Sequence, residues 1–242
     1  MHYAMNTTNN VAGFRQTDGL LRGDLRILVD WTLHQTLRRI VSCTLIIVIG
    51  CGLYGAAVGS WNSPLQAFYS GLKLPMVLLL TAAGNALLNG MLAPLLGLNI
   101  GFRQSLLAIL TSFTIAAIIL GGFSPIVAFL VWNVPPLASH SPSTFLVYSF
   151  IMIVLVTVIA FAGTTANLRL LQLLQSLSTA VVGRRILFAW LTVNLFLGAQ
   201  LSWILRPFVG SPGLPVEFIR AEAFHGTFYE AFYHSFKTVI FP

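Results

Sequence analysis

The stretch IVSCTLIIVIGCGLYGAAVG, Ile40 to Gly59, runs for twenty residues without a charged side chain. A helix rises about 1.5 Å per residue, and the hydrocarbon core of a bilayer is about 30 Å thick, so such a run is long enough to cross it. Backbone at that depth has no water to bond, and a helix satisfies its own N–H and C=O groups. Further apolar runs follow this one. Their spacing predicts an all-α, polytopic membrane helical bundle with five spans, at about residues 40–59, 74–98, 105–132, 144–163 and 186–205.

Composition points the same way. Of 242 residues, 57% are hydrophobic and only 8% are charged, whereas a soluble domain carries roughly 25% charged residues. The net charge of +7 comes from basic residues that flank the runs. In that position they set orientation and meet anionic headgroups. No basic stretch with interleaved aromatics lies on a soluble face, so the expected partner is the lipid bilayer and not nucleic acid. Cys43 and Cys51 are eight residues apart in one run. A helix separates them by about 12 Å, too far for a disulfide. The first run lies behind a long charged lead and exceeds a signal-peptide core, so it reads as a retained anchor.

Three regions result: a cytosolic polar lead over 1–39, the five-span domain over 40–205 and an extracytoplasmic aromatic tail over 206–242. Met1 to Gly19 reads as loosely held. LLRGDLRILVDWTLHQTLRR, Leu20 to Arg39, reads as a helix lying at the interface or packed on the bundle end. Gly55 and Gly59 form a small-xxx-small pair suited to close helix approach. Ser60 to Lys73 reads as a link, with Pro75 in the first turn of span 2 and Pro94 near its far end. Gly121, Gly122 and Pro125 allow either one long kinked span 3 or a span followed by a re-entrant piece. Asn133 to Ser143 reads as a loop. Asn167 to Leu177 reads as a separate amphipathic helix, with Leu170, Leu171, Leu173, Leu174 and Leu177 on one face. The tail opens on the turn-rich RPFVGSPGLPVEF, and from Thr227 it carries Phe228, Phe232 and Phe236 on one face of an interfacial helix.

Charge sets the expected sidedness. The lead, the Arg103 link and the link with Arg169, Arg184 and Arg185 hold nine basic residues, while the other side holds Lys73, Arg206, Arg220 and Lys237. The positive-inside rule then puts the N-terminus in the cytoplasm and the C-terminus outside it, in a cell inner membrane.

With these boundaries no Asp, Glu, Lys or Arg falls inside a span, which weighs against proton relays and ion-coupled sites. The strongly polar side chains left at depth are Thr81, Asn85 and Asn89 in span 2 and Asn194 and Gln200 in span 5. Asn85 and Asn89 share a face one turn apart, with Thr81 a turn earlier. An amide facing lipid would cost several kcal/mol, so this stripe must face protein or water. Interhelical hydrogen bonding, a polar cavity and a pore are the three readings it allows. Trp203 fits an aromatic belt, and Arg206 beside it reads as an interfacial anchor or as a contact for a lipid headgroup or a partner. Glu222 with His225 and Glu230 with His234 read as surface polar pairs and not as metal ligands. No nucleophile–base, metal or phosphate-loop motif is present, and the sequence calls for no catalytic residue, cofactor or metal.

The five-span layout over Ile40 to Leu205, with a polar lead and short loops, resembles the Yip family of membrane proteins. That family's short aspartate-leucine-tyrosine-glycine-proline signature is replaced here by GDLRILVDW. GNALLNGMLAPLLG and QLSWILRPFVGSPGLPVEF look more like an uncharacterised bacterial inner-membrane family of this kind. The resemblance implies a helical membrane protein that acts through protein partners, a homo-oligomer or lipids, and it supplies no site residues.

Overall fold

The computed structural model describes residues 37–97, 101–134, 142–210 and 216–230, together with 19 and 22. The chain is an all-α bundle of α1 (Leu37–Gly59), α2 (Pro64–Leu95), α3 (Phe102–Trp132), α4 (Pro142–Leu177) and α5 (Ala180–Leu205). Five stretches within these helices are long and apolar enough to cross a membrane, and no strand occurs among the described residues. The chain is a multi-pass membrane protein. The lead before Leu37 apart from 19 and 22, most of the loop after Asn133, residues 211–215 and the tail beyond Glu230 lie outside the described residues.

The helices alternate in direction. α1 packs on α2 and α3, α2 also meets α3 and α5, and α4 joins α3 to α5. The apolar stretch of α3 is 61% buried and that of α5 only 17%, so α3 is the central post and α5 lies at the edge. Close approach along α1 comes from glycine. A Cβ added at Gly50 would strike the Ala117 backbone, and one at Gly55 or Gly59 would strike the Ser70 or Gln66 backbone. This is how small residues let membrane helices touch. Farther out, Tyr54 Oη donates to the Leu155 carbonyl of α4 at 3.1 Å, and Trp61 stacks on Tyr148 with centroids 5.7 Å apart.

Two expectations change, and the alternatives left open for span 3 resolve to one long helix. The link read over Ser60 to Lys73 is mostly the first turns of α2, a 32-residue helix that starts at Pro64. Ser63 caps it, its Oγ accepting from Gln66 N at 3.1 Å, and Pro64 takes the first helical position, where a missing N–H costs nothing. Pro75 therefore sits in the helix interior and not in the first turn. Asn167 to Leu177 is not a separate helix but the last turns of the 36-residue α4. Its face is as expected, with Leu170, Leu173 and Leu174 buried. α3 runs unbroken through Gly121, Gly122 and Pro125. Pro125 cannot donate to the Gly121 carbonyl, and the Ser124 hydroxyl does so instead at 2.7 Å, the kind of substitution that lets membrane helices tolerate proline.

Candidate functional site

One face of α2 carries the site. Gln66, Ser70, Lys73, Val77, Thr81, Asn85 and Asn89 recur every three or four residues, the spacing of a single helical stripe, and all are buried. All but Val77 are polar. About 28 Å of helix separates Gln66 from Asn85, so the stripe has two polar ends with Val77 between them.

At one end the sequence-predicted amides come together. Asn89 Nδ2 donates to Asn85 Oδ1, and Asn85 Nδ2 donates to Asn194 Oδ1 on α5. Asn85 Nδ2 also reaches the Trp190 carbonyl at 3.5 Å. Asn85 and Asn89 are fully buried, so this chain of amides is internal to the bundle. Thr81 lies against Gly198 of α5, where an added Cβ would be 3.8 Å from its Oγ1. Thr81 Oγ1, Asn89 Oδ1 and Trp190 Nε1 are buried without a hydrogen-bond partner. Gln200 does not join them. Its Oε1 accepts from Phe228 N at 3.2 Å, on the tail side of α5.

The other end overturns the expectation that the spans carry no charge. Gly59 lies against Gln66, Gly55 against Ser70 and Gly52 against Gly71. The first turns of α2 are thus level with the last turns of α1, the run that opened the sequence reading. Lys73, fully buried, is beside that run and about 10 Å short of its end. A long charged side chain there needs partners. Lys73 Nζ donates to the carbonyls of Pro207 at 3.1 Å and Glu217 at 3.3 Å, and it lies 5.3 Å from the Phe218 ring and 5.9 Å from the Tyr69 ring. Aromatic faces at such distances attract a cation.

The carbonyls belong to a strap of non-helical backbone that follows α5, residues 206–210 and 216–220. Gln66 Nε2 donates to the carbonyls of Pro207 and Phe208 at 3.0 and 3.2 Å, and Ser70 Oγ donates to the Phe208 carbonyl. Gly210, at φ +95, packs against Asn62, where a side chain would be excluded on both counts. Residues 206–210 of the strap therefore lie along α2, each buried or half-buried. Farther on, Phe228 makes an edge contact with Trp203 and Tyr229 stacks on Phe196 at 5.0 Å. Tyr229 Oη also donates to the Phe196 carbonyl at 2.7 Å. The described tail thus folds back along α5. Arg206 turns inward as well, with its guanidinium carbon 3.3 Å from the centre of the Trp203 ring. Burial and the neighbouring Arg220 hold its pKa below the usual arginine value, and Glu222 acts in the opposite sense.

Sequence reasoning missed Gln66, Ser70 and Lys73. The signal for them was Ser63-Pro64, a helix start ten residues before Lys73. Comparisons of this chain with family models, with curated proteins and with solved structures find no match.

Proposed function

We propose that this chain is a non-enzymatic membrane scaffold, or a subunit of a membrane complex, that acts through protein partners, a homo-oligomer or lipids. The observation that carries the reading is the amide chain Asn89–Asn85–Asn194, in which Asn89 donates to Asn85 and Asn85 donates across to α5. Buried Val77 divides this cluster from the Lys73 cluster, so the polar groups serve as two separate clasps and not as one path. Amide bonds of this type hold membrane helices together at about 0.6 kcal/mol each on average. The layout-level likeness to Yip-type membrane proteins supports the same role. Moving Lys73 from a link into α2 leaves Arg206, Arg220 and Lys237 against nine arginines. That bias supports a cytoplasmic N-terminus and an inner-membrane location.

A second reading, a transporter or channel component, draws on Lys73. A buried ammonium beside non-helical backbone is a feature of substrate and ion sites, and the unpartnered atoms of Thr81, Asn89 and Trp190 lie on the same seam. The test is the double substitution Asn85→Leu and Asn89→Leu, with affinity purification in mild detergent. The scaffold reading expects loss of co-purifying proteins or of the homo-oligomer. Intact assembly together with lost solute flux in reconstituted vesicles would move the function to the second reading.

A further inference from the structure

We propose that Arg206 and Arg220, with Lys73 behind them and the Trp203 ring as a floor, form a binding site for a phosphate-bearing anion. The site goes beyond the scaffold role and does not depend on it.

The first support is an imbalance of charge. Arg220 lies within electrostatic reach of both Lys73 and Arg206, and Glu222 is the carboxylate that acts on Arg206. Three cations thus lie together, and the described carboxylates of this segment, Glu217 and Glu222, are exposed while Arg206 and Arg220 are half-buried. The second support is an imbalance of hydrogen bonds. Each guanidinium offers five N–H donors, yet among the described residues neither Arg206 nor Arg220 donates to a protein acceptor. Arg206 Nε and Trp203 Nε1 are buried donors without a partner. Both of these unpartnered atoms are donors, and the unpartnered acceptor of this region, Gln66 Oε1, belongs to α2 beside the strap.

A complement to this site must be rich in acceptor oxygens and negatively charged. Two planar guanidiniums match the paired oxygens of a phosphate. Lys73 is committed to the Pro207 and Glu217 carbonyls, so it contributes field and not a direct bond. α5 stops at Leu205, and Trp203, two residues earlier in its last turn, suits the level where headgroups begin. A phosphate there comes either from a lipid headgroup or from a free anion.

The test uses the full chain in nanodiscs of phosphatidylcholine with one-fifth phosphatidylglycerol, followed by native mass spectrometry of retained lipid. The comparison pairs the wild type with the double variants Arg206→Gln/Arg220→Gln and Arg206→Lys/Arg220→Lys. Each basic residue near a charged surface contributes about 1 kcal/mol, so the glutamine pair should weaken phosphatidylglycerol retention roughly 30-fold. The lysine pair keeps the charge but loses the paired planar donors, so its retention should fall between wild type and the glutamine pair. Size-exclusion elution identical to wild type shows that each variant is folded, and unchanged co-purifying proteins separate this outcome from failure of the scaffold reading. Failure of millimolar inorganic phosphate to displace the lipid assigns a headgroup, and displacement assigns a free phosphate-bearing anion. Equal retention of phosphatidylcholine and phosphatidylglycerol by the wild type, with no effect of phosphate, overturns the proposal. So does unchanged retention in a folded glutamine pair.

Discussion

Lys73 shows what a single residue does in this molecule. It joins α2 to two points of the strap, ten residues apart, through Pro207 and Glu217. Lys73→Met keeps the aliphatic stem and removes the donors. Pro207 keeps Gln66 as a donor, but the Glu217 carbonyl loses its Lys73 donor. Hydrogen bonds to a charged group contribute about 1.5–3 kcal/mol, so the variant should lose about 2 kcal/mol in a denaturant titration. Limited proteolysis should also cut sooner within 206–230; unchanged stability and cutting would mean that Lys73 is no clasp. The amides were legible in the sequence because an Asn inside an apolar run has to pair, and Asn85, Asn89 and Asn194 do. Lys73 was not legible. Tyr69, Ser70 and Lys73 look like interface residues until the helix is known to start at Pro64. Gln200 was misgrouped for another reason: its position on α5 turns it toward Phe228, a contact set by how the tail folds back and not by any local pattern.

Among the elements, α3 and its glycine pair give the cleanest test. Gly121 lies against α1, where an added Cβ would be 3.0 Å from the Gly50 Cα, while a Cβ at Gly122 meets nothing within 4 Å. Gly121→Ala should therefore force α1 and α3 apart and cost about 1–3 kcal/mol. Gly122→Ala adds helix propensity without a clash and should gain about 0.5–1 kcal/mol. Thermal unfolding in detergent would measure both, and equal effects would mean that the seam is looser than described. Helix existence was legible here because apolar length is a strong signal. Helix ends were less so, since α2 and α4 extend ten or more residues beyond their uncharged cores by continuing with amphipathic turns that read as links.

On the scale of the whole molecule, five alternating helices put the two ends of α1–α5 on opposite faces. Under the proposed orientation, a reporter active only outside the cytosol should work when fused after Pro242 and fail when fused before Met1. The reverse result would invert the topology. The number of crossings was legible because charge and length decide it. The strap was not, because its carbonyls are held by side chains more than 130 residues earlier in the chain.

That separation also sets an order of assembly. α2 leaves the ribosome with Gln66, Ser70 and Lys73 unmatched, and their acceptors are synthesised only after α5 is complete. Until then the insertion machinery must shelter a cationic helix, and the last clasp to close is the one that releases it to lipid.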